Sequence, residues 1–521
     1  MIPTKLPNKP GGRVARPQGR PYTGTKVETP ETDKGRPTGT KSAQRPGAEA
    51  VEGRGPAEGN ASQQNALRAQ NRGGAPSALD RVREKARKDR KARFTSLSHL
   101  ITVAALREAF EGLNRRASPG VDGVTWRAYG EQLEGNLSQL HERLVRGVYR
   151  ARPSRRAVIA KDDGRSRLLG VAALEDKVVQ AAVVKVLNAI YEEDFLDCSW
   201  GFRPGRGPHD ALNALAVGLG RWKVNWLLDA DIRGFFDAID HGWLMRFLQH
   251  RIGDGRLLRL IGKWLAAGVI EDGTWRPTEE GTPQGATISP LLANVYLHYV
   301  LDVWVSWWSR QGGRGDLMIV RYADDFVVGF QHRKDAERFR VELSQRLAKF
   351  GLELNEEKTR LIEFGRFTAQ GRRDRGLEKP ETFDFLGFTH ICEEHPRSRT
   401  LFVLRRHTVR KRMRRKLREI KEELRRRRHD SIPEQGRWLA SVLRGYFAYY
   451  GVPTNIHTLI GFQRETTVLW WKALRRRSQR DRTTWKRALD LSRRWLPSPR
   501  QTHDWPDKEF RVKTRGRSPV R

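Results

Sequence analysis

The stretch Leu317-Met-Ile-Val-Arg-Tyr-Ala-Asp-Asp-Phe-Val-Val-Gly-Phe330 sets how the rest of the chain is read. It holds two apolar runs of strand length on either side of two adjacent acids. Like charges side by side at the edge of an apolar layer are costly. In a tight hairpin, Asp can also be present simply because it tolerates turn geometry. A second segment favours a metal site instead. Leu227-Leu-Asp-Ala-Asp-Ile-Arg-Gly-Phe-Phe-Asp237 reads as a strand running into a turn that ends in carboxylates. Mg²⁺ takes one or two carboxylates and completes its shell with water and phosphate oxygens. Two-metal phosphoryl transfer needs acids from separate backbone segments, so that ions ~3.5–4 Å apart can hold the attacking and leaving oxygens. Asp231 with Asp324 supplies that pattern, and Asp325 adds a nearby charge. No Ser-His-Asp or Cys-His set competes for the chemistry.

The bulk numbers agree with a polyanionic partner. The chain has 521 residues, room for two or three domains, and 99 Lys and Arg against 61 Asp and Glu leave a net charge of +38. Each cation that neutralises a phosphate releases a condensed counterion, so nucleic acid is favoured over a ribosomal-type or membrane-surface protein. Two cysteines, Cys198 and Cys392, provide neither a disulfide framework nor a zinc-binding Cys pair, which points to a reducing compartment. No apolar run approaches the ~20 residues of a membrane span. The basic N-terminus lacks the apolar core of a secretory signal. The expectation is a cytoplasmic protein with no membrane partner.

Composition also divides the chain. Residues 1–60 contain 9 Pro and 10 Gly with almost no apolar periodicity, so residues 1–75 are expected to form a disordered basic leader. Over 76–400 helical patterns alternate with short β-type runs. Helices are expected over Ala78–Leu106, Leu133–Val148, Glu175–Tyr191 and Lys334–Phe350, and strands over Arg156–Ala160, Trp226–Ile232, Met318–Val328 and Thr382–Phe388. The fold class expected is α+β, with strands too scattered for a doubly wound sheet. Past 400 the strands mostly stop. Residues 405–428 carry 14 Lys and Arg against 3 acids, with Val409, Met413, Leu417, Ile420 and Leu424 at helical spacing.

With these residues in place, a family resemblance emerges. Tyr322-Ala-Asp-Asp325, with Asp231-Ile-Arg-Gly-Phe-Phe-Asp237 upstream, resembles the palm of reverse transcriptases encoded by bacterial group II introns. Further blocks follow in that family's order: Ala117-Ser-Pro-Gly-Val-Asp-Gly-Val-Thr125, then Val158-Ile-Ala-Lys161 through Gly164-Arg-Ser-Arg167. After these come Ser199-Trp-Gly-Phe-Arg-Pro-Gly-Arg206 with His209, and Gly281-Thr-Pro-Gln-Gly-Ala-Thr-Ile-Ser-Pro290 with Asn294. Gly351-Leu-Glu-Leu-Asn355 with Lys358-Thr359, and Phe385-Leu-Gly-Phe388, complete the set. The resemblance covers roughly residues 95–515. One departure is Arg167-Leu-Leu-Gly-Val-Ala172, where the family usually has two prolines, so this loop is expected to be less rigid.

The resemblance implies a right-hand polymerase, with fingers and palm over 76–400 and an α-helical thumb, the maturase-specific domain X, over 401–462. Asp231, Asp324 and Asp325 become the catalytic acids, binding two Mg²⁺ ions. Lys161 and Arg167 become the cations that grip the incoming dNTP, a point charge and a fork suited to a triphosphate. Phe236 matches the ring that excludes a 2′-hydroxyl, while Gln284 and Gly285 resemble the strip lining the nucleotide pocket. Arg203 and Arg206 either contact template phosphate or brace the fingers through salt bridges. The run Arg425, Arg426, Arg427 and Arg428 is expected on RNA backbone, since so dense a cluster repels itself when unpaired. Residues 463–521, rich in Trp and Arg, are a candidate for binding target DNA, and the HNH endonuclease of some relatives is expected to be absent. The implied partners are group II intron RNA, an RNA template, a DNA primer or target, and dNTPs. The oligomeric state stays open, a dimer among the options. The implied function is an RNA-directed DNA polymerase that also assists splicing of its parent intron. A splicing-only maturase with a vestigial site and a retron- or defence-type enzyme are the alternatives.

Overall fold

The computed structural model describes residues 77–509, apart from 161–165, 272–273, 279, 283–284, 396–397 and 479–480. The leader expected over 1–75, together with Lys161 and Gln284, lies outside the described residues. The fold is mixed helix and sheet, as the α+β reading expects. Helices α1 (Ala78–Lys88), α2 (Val103–Glu111), α3 (Trp126–Gly130) and α4 (Leu133–Val145) precede the hairpin β1 (Ser154–Ala160) and β2 (Ser166–Val171). Then come α5 (Leu174–Asp194), α6 (Pro208–Arg221), β3 (Trp226–Ala230), α7 (His241–Arg251), α8 (Gly255–Leu265), and the short strands β4 (Val269–Glu271) and β5 (Thr274–Arg276).

The middle of the chain continues with α9 (Ser289–Leu297), α10 (Val303–Gln311), β6 (Leu317–Tyr322), β7 (Asp325–Phe330), α11 (Arg333–Ala348), β8 (Arg360–Glu363) and α12 (Thr368–Asp374). Strands β9 (Phe383–Phe385), β10 (Phe388–His395) and β11 (Ser398–Thr408) follow. Last come four helices, α13 (Arg410–Arg426), α14 (Ile432–Tyr450), α15 (Ile456–Arg475) and α16 (Trp485–Trp495). Among the described residues three sheets result, ordered β2-β1-β4-β5, β6-β7-β3-β8 and β11-β10-β9.

The sheet β6-β7-β3-β8 is buried on both faces, which explains why its strands read as unbroken apolar runs. Leu228, Ala230, Leu317, Ile319, Phe326, Val328 and Phe330 pack into one core shared with α5, α9 and α11. The alternate residues Leu227, Met318, Val320, Val327 and Ile362 pack into another with α6 and β9. A third core joins α13–α16 through Ile420, Leu424, Leu443, Phe462 and Trp470.

Two expected elements come out differently. The single helix expected over Ala78–Leu106 is broken after Lys88, because residues far along the chain hold the next segment extended. Arg251 donates to the carbonyls of Ala86, Asp89 and Ala92, at 3.0–3.3 Å, and Asp254 accepts from the N–H groups of Leu97 and Ser98 at 2.8 Å. The strand expected over Met318–Val328 is a hairpin, β6 and β7, that turns at Ala323-Asp324. Also, β11 pairs with β10 as far as Thr408, so the sheet crosses residue 401 before the helices take over.

Candidate active site

Antiparallel β3 lies between β7 and β8, with Ala230 opposite Phe326. The next rung of that ladder brings Asp231 level with Asp325, at the end of the hairpin whose turn contains Asp324. Carboxylates from two separate segments thus meet at one end of the sheet. Asp231 is held in place: its Oδ2 accepts from Asn355 Nδ2 at 3.0 Å and from Lys358 Nζ at 2.9 Å, and its carbonyl accepts from Asn355 N at 2.8 Å. A cation therefore already sits against the Asp231 carboxylate. Because Lys358 is well exposed, the pair adds little stability.

Asp229 stands two residues earlier, on the same face as Asp231. Burial pushes its carboxyl up to about 6, with Asp325 and Asp384 adding to the rise and Arg360, 3.3 Å away, opposing it.

The turn itself rests on a buried arginine. Arg321 is completely inaccessible, the one cation in an otherwise apolar strand, and all five of its N–H donors are used. Two go to the Asp302 carboxylate at 2.7 and 2.6 Å, one to Asn294 Oδ1 at 3.0 Å, one to the Ala323 carbonyl at 2.9 Å and one to Ser199 Oγ at 2.7 Å. Asp302 reaches it because the helix after α9 widens into a π-turn over His298–Asp302. Asn294 in turn donates to the Gly201 carbonyl at 2.8 Å. Gly201 lies so close to the turn that a Cβ there would sit 2.4 Å from the Ala323 nitrogen. Ala323 has φ +59, a left-handed conformation that L-residues adopt at a cost. The Ala323–Asp324 turn is thus fixed from beneath by Arg321 and from the side by Ser199–Gly201.

The expected nucleotide-pocket residues converge from three segments. Phe236 is half-buried against Phe235, ring centroids 5.4 Å apart and edge to face, while Phe235 is core. Thr282 N donates to the Phe236 carbonyl at 2.8 Å, which lays Gly281 and Thr282 on the Phe236 turn. Gly285, at φ +107, approaches β2 so closely that a Cβ would lie 3.0 Å from the Gly170 carbonyl. Arg167 pairs through its backbone with Ile159 across the β1–β2 hairpin. Its side chain, Lys161 and Gln284 lie outside what is described.

Arg203 and Arg206 both find partners within the fold. Arg203 is buried and donates to the Glu192 carboxylate at 3.1–3.3 Å and to the Leu196 and Ser199 carbonyls at 2.8 Å. Arg206 pairs with Asp197 at 2.7 Å and lies over the Trp200 ring. Their donors hold the Ser199–Gly201 segment against the turn. In the basic run, Arg426 and Arg427 pair with Glu423, Arg427 also reaches Asp430 and covers Trp438, while Arg425 is exposed and Arg428 half-buried. The run is therefore partly neutralised within the fold, so dense self-repulsion does not by itself demand RNA there.

Thr502-His-Asp-Trp-Pro506 forms a strap. Thr502 and His503 donate their N–H groups to the Gly451 carbonyl, at 2.8 and 3.1 Å. The His503 ring stacks on His209 of α6, centroids 3.8 Å apart, and the two imidazoles donate from Nε2 to the carbonyls of Ala448 and Tyr449. Asp507 pairs with Arg221 at 2.7 Å, and Asn213 donates to Glu509 at 2.8 Å.

Among the described residues, no three His, Cys, Asp or Glu side chains form a closed metal cage, and no helix is long and apolar enough to cross a membrane. Two carboxylates from facing segments suit instead a hard divalent ion that takes the rest of its oxygens from water and substrate.

Residues 159–390 match the reverse transcriptase (RNA-dependent DNA polymerase) family. The chain is 34% identical over 274 residues to Protein YkfC of Escherichia coli, covering 47% of this chain and 72% of YkfC. It is 35% identical over 222 residues to the group II intron-encoded protein LtrA of Lactococcus lactis subsp. cremoris, covering 42% of this chain and 37% of LtrA. A shorter match, 30% identical over 87 residues, is to the mitochondrial Nuclear intron maturase 1 of Arabidopsis thaliana, 17% of this chain and 12% of that protein. The chain thus spans well under two thirds of LtrA and of the maturase.

Proposed function

The chain belongs to the group II intron-encoded reverse transcriptases and maturases, a family of RNA-directed DNA polymerases that use divalent metal ions, and from that membership we propose a specific assignment of its parts. It extends a DNA primer on an RNA template, joining deoxynucleotides to the 3′-hydroxyl with release of pyrophosphate, and it binds its parent intron RNA to assist splicing. The observation that carries the reading is the meeting of Asp231 with the Ala323–Asp325 turn on facing strands, above a fully satisfied buried arginine.

In this assignment β1–β2 with its surroundings forms the fingers, the β6-β7-β3-β8 sheet the palm, and α13–α15 the thumb. Residues 401–462 correspond to domain X and 463–521 extend it. Two Mg²⁺ ions, held by Asp231, Asp324 and Asp325, would lower the charge of the triphosphate and activate the 3′-hydroxyl. The protein's own contribution is positional. Arg321 and Ser199–Gly201 fix the turn, and Asn355 and Lys358 orient Asp231. Gly285 approaches β2, and Arg167, Lys161 and Gln284 would meet the triphosphate. Phe236 stands where a ribose 2′-hydroxyl would clash, which selects dNTPs by exclusion. Positioning and charge neutralisation suffice for phosphoryl transfer, which needs little covalent help.

Primer extension on RNA and on DNA templates tests the assignment, with Asp324→Ala as control. The variant is expected to lose synthesis and keep its affinity for intron RNA. A purified wild-type protein that extended nothing with Mg²⁺ and dNTPs would sink the polymerase reading and leave a splicing-only maturase.

A further inference from the structure

We propose that Phe202 is a stacking platform for one base of the primer–template at the catalytic turn. Four non-glycine residues among those described have positive φ, and two of them, Ala323 and Phe202, lie in the turn and in the segment packed on it. Phe202 has φ +58, and 53% of the residue is exposed. A bulky residue held in the left-handed region is an outlier whose cost must be met by its surroundings, and such strain gathers at functional sites.

The surroundings are all fixed. Trp200 is buried, Gly201 abuts the Ala323 backbone, and Arg203 is buried with its guanidinium on Glu192. Each neighbour is anchored to protein, yet the ring between them is turned out. Among the described residues no aromatic ring or cation covers it. Arg203 and Arg206 are committed to bracing, so the segment beside the turn offers nucleic acid an aromatic face rather than a charge. A base has a π-face on either side and binds such a ring whatever its sequence.

The proposal rests on the polymerase reading, but its test reads binding without synthesis. Dye-labelled primer–template is titrated with wild type, Phe202→Gly, Phe202→Leu and Phe202→Trp. The set is repeated with an abasic site placed in turn at each position around the primer 3′ end. Loss of a base–aromatic stack is expected to weaken binding of the intact duplex to the Gly and Leu variants by about 5- to 150-fold, and the Trp variant should bind close to wild type. At one abasic position that difference should vanish, because the base is already missing. Phe202→Gly should melt no lower than Phe202→Leu, since glycine takes the same φ without strain.

Equal affinity for all four proteins, or a loss indifferent to every abasic position, overturns the proposal. If wild type binds without extending, the polymerase reading fails while the abasic series still decides the ring. If wild type binds no primer–template, both fall.

Discussion

Arg321→Met is the perturbation with the clearest arithmetic. Removing one partner of a fully buried ion pair costs about 3–5 kcal/mol, because Asp302 keeps an uncompensated charge. Asn294 Oδ1, the Ala323 carbonyl and Ser199 Oγ also lose donors, at about 1–3 kcal/mol for each left unsatisfied. Native proteins are stable by only about 5–15 kcal/mol, so the single variant should sit at the edge of folding. Arg321→Met/Asp302→Leu removes the stranded charge as well and should recover about 3 kcal/mol or more of that loss. Urea unfolding followed by tryptophan fluorescence measures both, and the double variant is expected to be the more stable. Its synthesis rate should nevertheless remain well below wild type, since nothing then holds the Ala323 carbonyl. A single variant that lost under about 1 kcal/mol, or a double variant less stable than the single, would refute the accounting of the buried pair. A stable double variant with wild-type kcat would show that Arg321 does not position the turn.

Gly201→Ala forces a methyl to 2.4 Å from the Ala323 nitrogen, and backbone cannot yield as a side chain would. Overpacking of about 1–3 kcal/mol and a sharp fall in primer extension are expected, checked by thermal melting and single-turnover synthesis. Asn355→Ala frees one side of Asp231 and should lower kcat more than it raises KM for dNTP, with a higher metal concentration needed for half-maximal rate. His209 is held down to about 4, by burial first and then by its neighbour His503, while an unfolded imidazole titrates near 6.5. Unfolded chains therefore take up the proton first, and this residue costs the fold stability as pH falls from about 6.5 towards 4, up to about 3 kcal/mol. His209→Gln should melt closer to wild type at pH 5 than at pH 7.5, and an unchanged difference would count against the buried neutral ring.

The sequence made the acids legible because Asp324-Asp325 and Asp231 interrupt strands that are otherwise apolar, a pattern that survives without knowing the pairing. The β6–β7 hairpin was legible as two apolar runs divided by the acids, even though both faces of the sheet are buried and period-two alternation is lost. Arg321 was missed, although a signal existed. It is the lone charge in Leu317–Tyr322, and Asp302 is the lone charge across Ser289–Val305. Two isolated opposite charges in buried runs must find each other. Arg203 could not be settled from sequence, since its partner Glu192 lies across the turn that follows α5. The break after Lys88 was hidden for the same reason: Arg251 and Asp254, more than 150 positions on, supply the hydrogen bonds that hold the segment extended.

The Thr502–Glu509 strap carries a consequence for the order of folding. Glu509 meets Asn213 across a separation of 296 residues, and His503 covers His209 across a comparable distance. Contacts so remote in sequence form late, after the loop they close has already been ordered. A growing chain can therefore build the sheet bearing Asp231 and Asp324, and bring α14 onto α6 through His209 and Tyr449, before the strap exists. Only when residue 509 has been synthesised can the strap add Asn213–Glu509 and Arg221–Asp507 to that docking.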